Sequence, residues 1–424
     1  MRIKSYIFPL TIAFLGLVLL TTCKKEVTKI DSFTSFGRAY PMKGNQNISG
    51  AIKTSDGGYL LWGDTDAGIN GKQDGFLMRL DKDYNQLWYK TYGGFSHDNF
   101  ESAAIDEQGN ILAGGTSISF GVSLDSNSVL ANPCIYAVYV NGNGELLWQK
   151  TYNGNPGATN IYNTLCKVLL LPNKNFALIG STNNYIKQIG SLFYYVPNAF
   201  IQCINKQGDT LWHSHYNYYD TISVSMGTPI NYMASNAALS PDGNIEMLMV
   251  LQGSGTENFP MSLVKVAPNS ATGYNKYISR KPISGYWHGP FYPGVFLTPF
   301  FPMKLISESP EIYLIAAQTK MILCNSAGNM LKQVEIDEGS AIQDLLVSNG
   351  FAYFANNNYL IKTDLNGTIL WKSTSYGKLK INKVKGVFIE KDNSFSVFCS
   401  YTNALGENDL AILRLNENGQ LILK

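Results

Sequence analysis

The stretch Ile48–Gly94 decides the fold. It reads ISGAIKT (48–54), a turn at Ser55-Asp56-Gly57-Gly58, YLLWGDT (59–65), a loop, DGFLMRLD (74–81), a second turn and QLWYKTY (86–92). Each apolar run is short, alternating and rich in β-branched or aromatic residues, and Gly, Asn and Asp separate the runs. The pattern predicts four antiparallel strands, A to D, in one unit. No segment carries a sustained 3.6-residue apolar period, so helix should be scarce.

The second turn supplies a ruler for the rest of the chain. Asn or Asp, then Gly three residues on, then Trp after four more, occurs at Asn141/Gly144/Trp148, Asn205/Gly208/Trp212 and Asp364/Gly367/Trp371. Asp81/Tyr84/Trp88 keeps the register without the glycine, whereas Asn325/Gly328 and Asn416/Gly419 keep the turn without the tryptophan. A tight hairpin wants a residue at positive φ, hence Gly. A tryptophan on strand D offers a broad face to a neighbouring sheet. The gap between Asn205 and Asn325 is twice the usual step, and Met233–Arg280 fills it as a degenerate copy with its own turn at Ser240-Pro241-Asp242-Gly243-Asn244. The count is seven.

A four-stranded unit cannot bury its own apolar faces, so the units must pack on one another. Phe36-Gly37-Arg38-Ala39-Tyr40 resembles a detached strand D (compare Trp88–Tyr92), while the last unit only begins its own at QLILK (420–424). The expected fold is all-β, a seven-bladed β-propeller of four-stranded antiparallel blades. Its N-terminal strand completes the last blade and leaves no long free edge. The alternative for residues 33–41 is a tether with accidental similarity.

These units resemble the propeller repeats of exported Bacteroidota proteins, in which DGGYLL is followed by a Gly-containing turn and a Trp strand. They also resemble the tryptophan-docking repeat of quinoprotein dehydrogenases. That second family prefers Thr before its turn glycine, and here those positions are Asn143, Gln207, Ala327 and Asn366. Its vicinal cysteines and metal ligands have no counterpart, so the resemblance implies a quinoprotein-like fold and no cofactor.

The N-terminus implies a destination. Arg2 and Lys4 precede a 15-residue, mostly apolar run, Tyr6–Leu20, shorter than the ~20 residues a spanning helix needs. The run ends in Leu20-Thr21-Thr22-Cys23, which resembles the lipobox of bacterial lipoproteins, with Thr22 where a smaller residue is usual. Lys24-Lys25-Glu26 is similar to a Bacteroidota surface-export tag. The resulting division is a signal peptide at 1–22, an acylated Cys23 with a polar tether to 32, and one propeller domain at 33–424. The resemblance implies an outer-membrane lipoprotein of the cell envelope, palmitate-type acyl chains on Cys23, and a periplasmic or surface-exposed body. An ordinary signal peptide with an incidental cysteine is the competing reading.

Charge excludes one class of partner. The chain has 33 basic and 31 acidic residues, Arg2 and Lys4 carry the excess, and no basic patch is visible, so nucleic acid is not expected. Cys134, Cys166, Cys203, Cys324 and Cys399 are widely spaced within strand-like runs and are read as buried free thiols.

Topology locates a working face. A–B and C–D turns emerge on one side of a propeller, B–C and D–A loops on the other. The long insertions, 117–132, 183–198, 217–232 and 281–302, all belong to the second side. Their aromatics, notably Tyr194, Tyr195, Tyr218, Tyr219, Tyr286, Trp287, His288 and Tyr292, either cap the ring or bind a protein, peptide or glycan. Catalytic signatures are missing: there is no Walker loop, GxSxG elbow or HExxH. His213 and His215 share one side of a strand and lack an evident third metal ligand. Asp81-x-Asp83-x-Asn85 opens like a calcium loop but reads better as a C–D turn. A binding or scaffold role therefore leads, without a metal or cofactor. The alternative is a polysaccharide hydrolase or lyase using acids among Asp64, Asp66, Asp98, Glu101 and Asp220 at the channel mouth. Mass spectrometry of the mature chain should find it starting at a lipid-modified Cys23; any other start refutes the anchor.

Overall fold

The computed structural model describes residues 37–68, 72–123, 131–152, 163–189, 192–216, 231–252, 261–274, 279–283, 301–337, 340–373, 376 and 379–422. They form seven sheets with a core of four strands each: 46–92, 102–152, 163–216, 231–283, 303–335, 344–372 and, for the seventh, 381–415 joined by Gly37–Tyr40. The fold is a seven-bladed β-propeller. The first strand of every blade contacts the first strand of the next, through to the return of blade seven onto blade one, so these seven strands form the inner wall.

Closure follows the sequence expectation. Gly37–Tyr40 pairs antiparallel with Leu410–Leu413, the third strand of blade seven. Leu421 bridges Leu415 further along the same edge. The outermost strand of blade seven is thus assembled from both ends of the described chain.

There is no single core. Seven apolar clusters each sit at one seam between adjacent blades. The seam between blades seven and one joins Tyr40, Ile48, Leu61, Phe76, Phe398 and Ile412, and it exists only because the ring closes.

The ruler has a physical cause at each of its three positions. Its Asn or Asp is an Asx-turn acceptor. Oδ1 of Asn141 accepts from the amides of Asn143 and Glu145, Oδ1 of Asn205 from those of Gln207 and Asp209, and Oδ1 of Asp364 from those of Asn366 and Thr368. The glycine sits at positive φ (72° at Gly144, 76° at Gly208), and a Cβ there would press on the tryptophan ring of the preceding blade. The tryptophan then docks on the next blade's turn: indole N–H groups of Trp88, Trp148 and Trp212 donate to the carbonyls of Gly142, Lys206 and Pro268.

A tyrosine four residues after the tryptophan repeats the device. The hydroxyls of Tyr92 and Tyr152 donate to the carbonyls of Gly144 and Gly208. Tyr40, at the matching place in the closing strand, donates to Tyr84 O at 2.7 Å. Tyr84 replaces the glycine of this turn and holds φ at 63°. Its ring stacks on Tyr59 and its hydroxyl meets Ser396 Oγ of blade seven, contacts that offset the unfavourable backbone. Asp81 ties the turn through the amides of Asp83 and Asn85, so this Asp/Asn series forms the C–D turn.

Three expectations change. Much of 117–132 and 183–198 is strand and not loop: Ile111–Ser123 pairs with Ala131–Val140, and Phe176–Ile189 with Leu192–Ile204 out to Ile189↔Leu192. The ladders continue past the blade, with shifts at Ser117/Val122 and Thr182/Tyr185. The insertion assigned to 281–302 starts later, because Ser279–Ile283 is the fourth strand of blade four. The link before it sends Gly273–Tyr274 to pair in parallel with Ser214–His215, covering the outer edge of blade three.

Tyr40→Ala removes a buried ring and a seam hydrogen bond, and should lower unfolding free energy by about 3–5 kcal/mol. Arg38→Ala, exposed on the same strand where it lies over the Tyr40 ring and reaches Asn85 Oδ1, should cost only about 1 kcal/mol or less. Equal urea midpoints for the two variants would show that the closing strand does not support the ring.

Candidate binding face and channel

The starts of strands A and C and the ends of strands B meet on the face that carries the extended hairpins. At the junction of blades seven and one, amides link into a chain. Asn382 Nδ2 donates to Asn408 Oδ1, Asn408 Nδ2 to Asn47 Oδ1, and Asn47 Nδ2 to Asp64 Oδ2. Gln73 Nε2 donates to the same carboxylate oxygen, and Gln73 Oε1 faces His97 Nδ1 at 3.2 Å. Short strands bring these residues together across two blades. The result is a polar lattice that offers both donors and acceptors.

The acids singled out from sequence are partly absorbed by this framework. Asp66 accepts from the backbone and side-chain amides of Asn45. Asp98 is 1% exposed and accepts from Gly94 N and Ser119 Oγ, so it staples the loop before blade two and does not line the channel. Glu101 differs. Burial raises its carboxyl above the ordinary range, and Asp64 adds to this while Lys383, Lys385 and Asn99 oppose it. Asp220 lies outside the described residues.

The same holds for most of the aromatic set. Tyr218, Tyr219, Tyr286, Trp287, His288 and Tyr292 lie outside the described residues, as does Cys23. Tyr194 and Tyr195 fall on the projecting hairpin, paired with Lys187 and Ile186.

His213 and His215 share a strand side as expected, with ring centroids 5.8 Å apart. Both line a crevice of about 280 Å³ between blades two and three, with Tyr152, Asn163, Phe200 and Gln202. Burial, then the adjacent His213, holds His215 down at about 4. Among the described residues no group of three or more His, Cys, Asp or Glu side chains is arranged to hold a metal ion. Cys134, Cys166, Cys203, Cys324 and Cys399 are all buried and unpaired, and burial pushes each thiol above its usual range.

Sequence reading missed the inner wall. Lys167 of blade three, Lys304 of blade five, and Lys383 and Lys385 of blade seven stand on first strands or their bulges. Asp344 of blade six is on the wall too, with Oδ1 taking Leu345 N and Oδ2 taking Gly386 N and Val387 N.

No protein-family model matches the chain, and no curated protein sequence does. Solved structures match in fold. The polysaccharide lyase Uly1 superposes with a TM-score of 0.51 at 9% identity, covering 90% of this chain and 92% of that one. The WD40 domain of Neurospora crassa Pan2 gives 0.50 at 9% identity, covering 89% and 93%. A protein of unknown function from Bacteroides caccae gives 0.39 at 12% identity over 68% of this chain and 88% of its own. The likeness is one of architecture. At these identities it establishes the propeller and nothing about what the face binds.

His215 gives this region a pH signature. Its unfolded form takes up a proton near pH 6.5 and its folded form near 4, so the unfolded state binds more protons in between, and stability falls as pH drops through that window. Between pH 7 and pH 4 the wild type should lose up to about 3 kcal/mol more than His215→Gln. Identical losses in urea titrations would show that the imidazole is fully hydrated.

Proposed function

We propose that this protein is a lipid-anchored envelope protein whose hairpin-bearing face binds a protein, peptide or glycan partner. The observation that carries the reading is the amide chain Asn382–Asn408–Asn47–Asp64–Gln73 across the junction of blades seven and one, on the face from which blade three projects its 176–204 hairpin. Alternating amide donors and acceptors suit hydroxyl-rich or peptide ligands. Asp66 and Asp98, engaged by loop amides and a hydroxyl, are poorly placed for acid–base work. The lipid-modified Cys23 supplies membrane attachment in this proposal, since two acyl chains already anchor a protein stably.

The second reading, an enzyme acting on polysaccharide, draws its support from Glu101 alone. Its raised carboxyl, close enough to Asp64 to feel that charge, suits a general acid. Depolymerisation of an arrayed glycan that Glu101→Gln abolishes would replace the binding reading with this one.

The direct test is a glycan and peptide array probed with residues 24–424. The partner chemistry should retain the wild type and lose a variant in which 183–197 is replaced by Asn-Gly. That cut leaves the Thr182↔Asn198 pair as the last rung, so melting should be unchanged. Undiminished binding by the shortened protein would remove the hairpin from the interface.

A further inference from the structure

On the face of the A–B and C–D turns, opposite the hairpins, the seam between blades six and seven leaves a crevice of about 300 Å³. Its lining is aromatic in depth. Tyr353 and Trp371 of blade six both pack on Phe395 of blade seven, at ring-centroid distances of 5.1 and 5.8 Å, and Phe351 lies beside them. Its rim is polar. Asn349 in the A–B turn of blade six, Asn393 in that of blade seven, and Glu417 and Asn418 in the last C–D turn are all exposed there.

The tryptophan device lapses at this seam. Trp88, Trp148 and Trp212 each donate an indole N–H to the next blade's turn. Trp371 packs on its own target turn, since a Cβ on Gly419 would lie 2.5 Å from the indole ring. Yet its N–H has no hydrogen-bond partner among the described residues, and neither has the hydroxyl of Tyr353, a residue 4% exposed. The side-chain amides of Asn349, Asn393 and Asn418 and the Glu417 carboxylate are unpaired among the described residues as well. Turn formation accounts for Asn349 and Asn393, which hold φ at 52° and 60°, and leaves their amides free. The neighbouring seam behaves differently. Along the crevice between blades seven and one, Lys53 meets Glu390, Arg414 meets Asp392, and the Tyr59 hydroxyl donates to Glu390.

Charge narrows the ligand class. Lys362 Nζ sits 4.1 Å from the Phe351 ring centroid and 5.6 Å from that of Tyr353, so the chain's own ammonium already takes the place a cationic ligand would need. Glu417 balances Lys362, so the lining has no net charge to select an anion. What fits is a neutral molecule with an apolar face for the rings and groups that both donate and accept for the amides, the indole N–H and the carboxylate. A volume near the lower end of small-molecule sites suits a single ring.

We propose that this crevice binds one neutral pyranose ring of a glycan, seated on Phe351 and Trp371 and hydrogen-bonded by Asn349, Asn393, Glu417 and Asn418. The site is separate from the hairpin face and adds a second contact surface to the scaffold.

The test is a ligand-observed NMR titration of residues 24–424 with methyl β-glucoside, methyl β-galactoside and N-acetylglucosamine, with glucuronate and choline as charged counterparts. At least one neutral pyranose should bind saturably, with a dissociation constant of about 1 mM, and more tightly than either charged probe. Asn349→Gly/Asn393→Gly removes two rim amides while keeping a backbone that accepts positive φ. It should weaken binding at least tenfold without changing the melting temperature, which separates lost binding from lost folding. The protein with 183–197 replaced by Asn-Gly should bind the sugar like the wild type. No saturable binding of any neutral pyranose, tighter binding of glucuronate or choline, or equal binding by the wild type and the double variant overturns the inference. Loss of binding on shortening the hairpin assigns the sugar to the other face and overturns it too. A blank array with an intact pyranose titration removes the hairpin reading and keeps this one.

Discussion

Burial of sheet faces between blades is the interaction on which the rest of this structure depends. A single four-stranded blade exposes two apolar faces, and each becomes stable only against a neighbour. Seven seams supply seven such layers, and the last, between blades seven and one, requires Gly37–Tyr40 to be in place. Closure therefore does more than cap an edge. It creates the apolar layer around Ile48, Phe76 and Phe398, and it holds blade one's amides against those of blade seven. The mouth chain from Asn382 to Gln73 spans that closing seam, so the candidate site inherits its geometry from the same constraint.

Much of this was legible in the sequence, for a local reason. The C–D turn packs three requirements into eight residues: an Asx acceptor, a left-handed glycine, and a tryptophan whose indole reaches the next blade's turn. All three leave a residue-level mark, so counting turns counts blades. The tyrosine four positions later pointed to closure without being recognised as a donor. Tyr40 matched Tyr92 in sequence, and both hydroxyls serve the same carbonyl position. Where the turn device lapses, as in blade four with Pro268 in place of an Asn–Gly turn, the pattern blurred and the parallel Gly273–Tyr274 pairing went unseen.

The features that sequence did not reveal have an equally physical explanation. The 117–132 and 183–198 segments carry glycines and asparagines together with β-branched or aromatic residues, and composition alone does not tell a projecting hairpin from a loop. The channel lysines were hidden by the bulges. Strand alternation assigns faces only while the register holds, and each slip reverses the parity of the residues beyond it. Cys166, Asn382 and the Lys385–Gly386 pair break that parity in blades three and seven. Lys167, Lys383 and Lys385 consequently read as ordinary surface residues of amphipathic strands, when the fold turns them to its axis.

The distribution of charge differs between the seams and the inner wall. At most seams and turns, charged groups are matched. Lys265 meets Asp242 and Glu311, Arg79 meets Asp56, and Lys53 meets Glu390. On the inner wall Lys167, Lys304, Lys383 and Lys385 share the axis with Asp344 and Glu101, and the repulsion among the like charges works against the stability of the closed ring. A closed ring of seven seams tolerates that local penalty, because every inner strand is fixed from both sides.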